Sequence, residues 1–371
     1  MTRLPIGEGG AFLEEREKYA LPAEEVENTV LWVNPAFAGT LPFELKEGEP
    51  TKLAAFLSPK EREGQRVFYV SHNEAKRGRS GLWQEVVFRD QGGIHYRDVD
   101  QKGVGCFEVD LRGWHSRASF RVSRLSEALN PKRVRGFLNS ELAFYDKDNS
   151  EKLLAHGIRT YRTVAIIGLE EIIDEAGEKI SVEKARERGI IPEGFEPVIQ
   201  VRAYPGTRER IPGVSRTETN KRTAKHALKD AKTLVAAELG KDPKEFSTED
   251  YLIWFAETLG KQVARLHQLN LVHKGLFPHD ITLDCCLVDL DSMNTTSDEV
   301  SSRREQGQPT TEGELYMEDV RAAIFTVSHL AEWAKILKPR EDLPSPEYLK
   351  STLEKSYNQE LLKSMKPRNP S

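Results

Sequence analysis

One pairing in this sequence constrains the fold more than any other: a long amphipathic helix that runs straight into a loop rich in functional groups. From about 248 to 269, Leu252, Ala256, Leu259, Val263 and Leu266 recur at helical spacing, so one face is apolar and must be covered. Ser247 stands where an N-cap is needed, and Glu249 and Asp250 follow in the first turn. A hydroxyl there satisfies an orphan N–H, and the acids suit the positive end of the helix dipole. Directly afterwards comes "VHKGLFPHDITLDCCLVDLD", residues 272–291. A helix anchored in a core delivers this loop to a fixed place. The loop offers His273, His279, Asp280 and Asp289, groups that hold metals or move protons.

The rest of the chain sorts into a β-rich half and an α-rich half. "RVFYV" (66–70), "LWQEVVFR" (82–89) and "IHYRDVDQK" (94–102) are β-like runs between turn-forming segments and read as an antiparallel meander. A helix is expected over about 132–156, with Gly157 as its stop, followed by strands in "TYRTVAIIGL" and "EPVIQVRAY". The charged excursion between those strands reads as solvent-facing. Residues 219–239 form a helix strongly charged on one side, and helices are expected over about 316–337 and 345–365. Residues 294–314 have the composition of a mobile loop. The expected domains are an N-terminal extension of short helical pieces and turns (1–60), a β-rich lobe (61–205) and a helical lobe (206–371).

With 371 residues, 38% hydrophobic and 30% charged, the chain suits two lobes with real cores. A net charge of −5 gives no pull toward nucleic acid or an anionic membrane, and neither is an expected partner. The most apolar run, "TVAIIGL", is strand-sized, and the N-terminus has no apolar core of a secretion signal, so a cytoplasmic location is expected. Cys106, Cys285 and Cys286 lack zinc spacing and read as reduced thiols.

The loop aligns with the protein-kinase pattern H-R-D-x-x-x-x-N, followed by a strand and a metal-binding Asp. His273, Leu276, Pro278 and Ile281 fall in register, while Gly275 occupies the position of the catalytic Asp and Asp280 that of the metal-binding Asn. Asp289 follows the short apolar run "CLV", and the hairpin "ITLDCC" can bring Asp280 beside it, so the two carboxylates are candidates to share one Mg²⁺. His273 reads as a backbone brace, and His279 is a candidate to face substrate. Phosphoryl chemistry also needs a Lys held by an acid. Lys102 ends a predicted strand before "GVG", and Glu151 or Glu141 on the predicted helix is the candidate partner. The expected fold class is α+β, a bilobal protein-kinase-like fold with one key helix in its β-rich N-lobe, an α-rich C-lobe, and Mg–ATP bound between the lobes.

"DQKGVG" (100–105), "SEKLLAHGIRTYRTVAII" (150–167), "PVIQVRAYPGTRER" (197–210) and "HKGLFPHDITLDCCLVDLD" (273–291) together resemble the selenoprotein O family of kinase-like proteins. The resemblance implies ATP bound in a flipped orientation and transfer of AMP to a hydroxyl of a protein. It also implies that Lys102 contacts phosphate and Glu151 anchors it, that Arg202 and Arg208 or Arg210 neutralise phosphates, and that Asp280 and Asp289 hold the metal. His279 stands where the family has an acid, and Asp280 where it has Asn. The nearest counterpart of the family's Gly-rich segment is "HNEAKRGRSGLW" (72–83). Two other activities fit the same residues: phosphotransfer to a small molecule or protein, and a non-catalytic nucleotide-binding scaffold.

Overall fold

A computed structural model describes residues 20–58, 60, 66–69, 80–105, 107–109, 116–118, 134, 136–174, 176–211 and 218–365. Two compact units result: Met1–Asp148 with Tyr161–Gly206, and Asn149–Thr160 with Thr207–Ser371. Cys106 and residues 72–79 of the expected Gly-rich segment lie outside the described residues.

The first unit is built on a nine-stranded sheet. Its strands are β1 (Ala20–Glu25), β2 (Asn28–Val33), β3 (Ala55–Leu57), β4 (Arg66–Tyr69), β5 (Ser80–Arg89) and β6 (His95–Lys102), joined later by β9 (Leu138–Asn139), β10 (Arg162–Leu169) and β13 (Pro197–Tyr204). Two small hairpins stand apart, β7 (Phe107–Val109) with β8 (Ser116–Ala118) and β11 (Glu171–Ile173) with β12 (Lys179–Ser181). The helices α1 (Ser140–Ala155) and α2 (Val182–Glu187) complete the set, α1 crossing from the first unit into the second. The sheet order is β2-β10-β13-β6-β5-β4-β1-β3, with β9 paired to β13.

Strand β13 explains how the sheet carries chemistry. Ile199, Val201 and Ala203 point into the main core with Val99, Tyr96 and Phe37. The alternate residues Gln200, Arg202 and Tyr204 share the other face, and all are buried. Across the ladder, Gln200 lies opposite Lys102 and Arg202 opposite Asp100. Two expectations need correction here. Residues 20–57, read as part of an extension, supply three strands, and Val26, Val30, Phe37 and Phe56 join the core; the runs are short and broken by turn residues, which hides their period. The charged excursion folds as β11, β12 and α2 and buries Ile180, Val182 and Ala185.

In the second unit, α3 (Glu218–Glu238), α4 (Thr248–Gln268), α5 (Thr296–Glu305), α6 (Glu312–Leu337) and α7 (Pro346–Met365) surround a short ladder of β14 (Leu271–Val272) and β15 (Asn294–Thr295). Helix α4 is the predicted amphipathic helix: Leu252, Ala256, Leu259, Val263 and Leu266 are all buried, and Ser247 and Asp250 form a reciprocal capping box. A Cβ on Gly260 would lie 2.4 Å from the Leu353 carbonyl oxygen, so only glycine lets α4 and α7 approach this closely. Residues 294–314, expected as a mobile loop, contain α5. Thr295 caps it through the Asp298 amide, and Glu299 is buried against Arg303 and Asn294. Among the described residues no helix is long and apolar enough to cross a membrane.

Candidate functional site

In the first unit the site begins where β6 ends. Gly103 follows Lys102 with φ of +97°, and a Cβ there would sit 2.3 Å from the Val198 carbonyl oxygen, so the chain turns away from the sheet only because this residue is glycine. Lys102 is 2% exposed, and its Nζ lies 3.5 Å from Asp146 Oδ2 on α1. The second Asp146 oxygen accepts from the Tyr161 hydroxyl. Burial and the adjacent Asp146 hold that phenol well above its ordinary pKa.

The acid beside Lys102 is therefore Asp146, which the sequence reading passed over in favour of Glu141 and Glu151. Glu141 is exposed at the helix start, and Glu151 is half-buried on the part of α1 that belongs to the second unit. The missed signal was periodic. Ala143, Asp146, Ser150 and Leu153 form the fully buried stripe of α1, so Asp146 is the one acid on its inner face.

Arg202 also departs from its expected role. Its Nε and Nη2 donate to the two Asp100 oxygens at 2.8 and 2.7 Å, and its guanidinium carbon lies 4.9 Å from the Tyr161 ring centroid. This is a buried, bidentate, stacked pair. Nε and Nη2 of this guanidinium hold β13 to β6, and Nη1 has no hydrogen-bond partner among the described residues.

In the second unit the loop after α4 is braced from both sides. Asp319 on α6 accepts from the amides of His273 and Lys274 at 2.8 and 2.9 Å. His273 Nε2 lies 2.9 Å from the Val288 carbonyl oxygen, so this nitrogen carries the proton, and burial pushes the imidazole pKa down. His273 is a brace, as its position in the pattern predicts. The chain then folds back: the Val288 amide donates to the Asp280 carbonyl at 3.0 Å, and Cys285 turns the hairpin with φ of +64°. That pairing brings Asp280 beside Asp289, and their carboxyl groups hydrogen-bond. Asp289 itself sits at φ 58°, ψ 46°, in left-handed backbone that Asp tolerates better than most residues.

Electrostatics at this pair are unusual. Burial first, and Asp289 second, push the Asp280 carboxyl up to about 8. His279 Nε2 is 3.3 Å from Asp280 Oδ2, but burial and Arg210 lower its pKa, so this contact joins a neutral imidazole to a carboxyl that keeps its proton. The segment around Arg210 runs antiparallel to Thr282, which places Arg210 Nη1 2.7 Å from the His279 carbonyl and 3.1 Å from Asp289 Oδ2. Arg208, the alternative phosphate ligand, is buried. A Cβ on Gly275 would come within 3.1 Å of Asp280 Oδ2, so the space where a kinase holds its catalytic acid is already claimed by Asp280.

The donor set fits a magnesium ion. A divalent cation held between the two carboxyls would displace the proton on Asp280. Among the described residues no group of three or more His, Cys, Asp or Glu is arranged for a metal, but Mg²⁺ commonly takes one or two carboxylates and completes its shell with water and phosphate oxygens.

Counting from β4, the third strand ends in a buried Lys, the next described helix supplies its acid, two further strands of the main sheet (β10 and β13) follow, and a helical unit presents a braced H-x-G loop with Asp289 after it. The fold is protein-kinase-like. No known family model matches this chain, and no curated protein does. Similar solved structures include a Toxoplasma gondii specific rhoptry antigen kinase domain, at 14% identity and a TM-score of 0.31, covering 80% of this chain and 76% of that one. Another is ROP2 from Toxoplasma gondii, described as having a protein-kinase fold and no enzymatic activity, at 11% identity and a TM-score of 0.32, covering 81% and 79%. The kinase-like assignment rests on the order and contacts of the elements, not on these distant likenesses.

Proposed function

We propose that this chain binds a magnesium–nucleotide complex through Asp280 and Asp289 and transfers AMP to a protein hydroxyl without the kinase base. The observation that carries the reading is the convergence of those carboxyls beside Gly275, with the Asp280 carboxyl holding a proton that a cation would replace. In the proposed reaction the acceptor oxygen bonds to the α-phosphorus, the α–β anhydride bond breaks, pyrophosphate leaves, and the hydroxyl proton passes to solvent. Magnesium, when bound, supplies charge neutralisation at the phosphates. Lys102, steadied by Asp146, is assigned to a phosphate oxygen. A general base contributes only about 10²–10⁴-fold, so its absence leaves transfer feasible. The choice of AMP over terminal phosphate rests on the resemblance to the selenoprotein O family.

A second reading, a non-catalytic scaffold, is favoured by one contact. Arg210 Nη1 lies 3.1 Å from Asp289 Oδ2, and its guanidinium supplies the positive charge a metal would bring. Transfer from labelled ATP separates the readings. With Mg²⁺ and casein as acceptor, label from α-labelled ATP should enter protein, and label from γ-labelled ATP should not. Asp289→Asn should abolish the signal. Gly275→Asp, which adds a third carboxylate beside Asp280, should weaken it without creating γ-transfer. Incorporation of γ-label would make the chain a kinase; nucleotide binding with no label from either position would make it a scaffold.

A further inference from the structure

We propose that Arg210 is a built-in competitor of the cation: its guanidinium holds Asp289 until a divalent ion displaces it, and so sets the concentration at which the site fills. The inference rests on the carboxyl pair as a cation site, the reading given above, and adds how that site is regulated. Arg210 Nη1 donates to Asp289 Oδ2 at 3.1 Å and to the His279 carbonyl oxygen at 2.7 Å. One nitrogen therefore spans the two ends of the hairpin that brings Asp280 beside Asp289.

The backbone of Arg210 is fixed and its side chain is the movable part. The Leu283 amide donates to the Glu209 carbonyl at 2.7 Å, and the Ile211 amide donates to the Ile281 carbonyl at 3.3 Å. Residues 209–211 thus lie along the hairpin itself, and all these groups belong to the second unit. The side chains of Arg210 and Asp289 are 18% and 32% exposed, so an ion in solution reaches the contact without opening the fold. The Arg202–Asp100 pair, at 1% and 0%, is sealed by comparison. A part-exposed ion pair is screened by water and opens readily, whereas a sealed one does not. On leaving Asp289, Nη1 can keep the His279 carbonyl, so the guanidinium stays tethered beside the site.

Charge decides the sign of the effect. Arg210 places one positive charge where a divalent ion brings two, and the two cations repel if both remain. The field of the guanidinium also reaches Asp280, where it favours the ionised carboxyl against burial. Removing Arg210 therefore helps the proton on Asp280 as well as the metal. The divalent ion carries twice the charge of that proton, so metal binding gains more. An Arg210 that served only to staple the hairpin would act in the opposite direction: its loss would loosen the carboxyls and weaken binding.

Calorimetric titration of the full chain with Mn²⁺ alone, an ion suited to the same oxygen ligands as Mg²⁺, reads this competition without nucleotide or turnover. At low ionic strength Arg210→Gln should bind Mn²⁺ about tenfold more tightly than wild type, the effect of one charge on a divalent ion about 6 Å away in water. Arg210→Met, which keeps the apolar stem, should tighten binding to the same extent. Arg210→Lys keeps the charge and should stay close to wild type. Asp289→Asn added to Arg210→Gln should remove the gain. Binding in both uncharged variants that is no tighter than wild type overturns the proposal, as does the absence of Mn²⁺ binding in all of these proteins. A gain in Arg210→Lys as large as in Arg210→Gln, or a gain that survives Asp289→Asn, also overturns it. Tighter binding in the uncharged variants, with no transfer of α-label to protein by the wild type, supports this inference and removes the AMP-transfer reading alone.

Discussion

One charge cluster in each unit is balanced in a different way. In the first, every charge named here has an opposite neighbour: Lys102 lies against Asp146 and Arg202 against Asp100, all at most 2% exposed. In the second, two like charges are pushed together, Asp280 against Asp289, and a carboxyl proton and Arg210 make up the balance. Paired opposite charges are finished structures, and removing one partner leaves a buried charge alone. Converging carboxyls repel when both are ionised, and under the proposed function a cation would offset that repulsion.

If that contrast is right, the largest effect should come from Arg202→Ala. It strands Asp100 inside the sheet and should cost about 3–5 kcal/mol, measured by urea unfolding. A cost below about 1 kcal/mol would mean the pair is not sealed, and the comparison would fail on its first side. Lys102 and Asp146 should come next. Lys102→Met and Asp146→Asn should each destabilise the fold, with an interaction energy of about 1–3 kcal/mol in a double-mutant cycle. Strictly additive costs would return the search for the Lys102 partner to Glu151.

A smaller effect sharpens the second side. An ordinary aspartate ionises near 3.8, and Asp280 does so at about 8 in the folded chain. Between those values the folded state holds a proton that the unfolded state has released, so stability falls as pH rises through 8. In EDTA, wild type should lose about 2–3 kcal/mol between pH 6 and pH 9, and Asp280→Asn should lose much less. Equal slopes would show that the carboxyl pair is not coupled.

How much of this was legible in the sequence depended on whether a residue's role was local. The α4 stripe, its Ser247 cap and the brace at His273 follow from spacing within a few residues, and each was readable. The hairpin joining Asp280 to Asp289 was readable for the same reason. Arg202 and Asp146 were not, because their roles depend on partners far along the chain, Asp100 and Lys102, that only the sheet register and the inner face of α1 bring close. Helix α5 was hidden by composition: Ser, Thr and Asp serve as its cap and first turn, yet the same residues are typical of loops. The strands within 20–57 were masked by turn residues on either side.

A thermal-shift comparison reads whether Asp280 and Asp289 together hold a nucleotide-bound cation, as proposed. Asn tolerates the left-handed backbone at position 289, so Asp289→Asn removes charge without adding strain. Mg²⁺ and ATP at about 100 times the Kd should stabilise the wild type by about 2.7 kcal/mol; ATP in EDTA should not, and Asp289→Asn should respond to neither. A magnesium-dependent shift of the same size in Asp289→Asn would contradict the account.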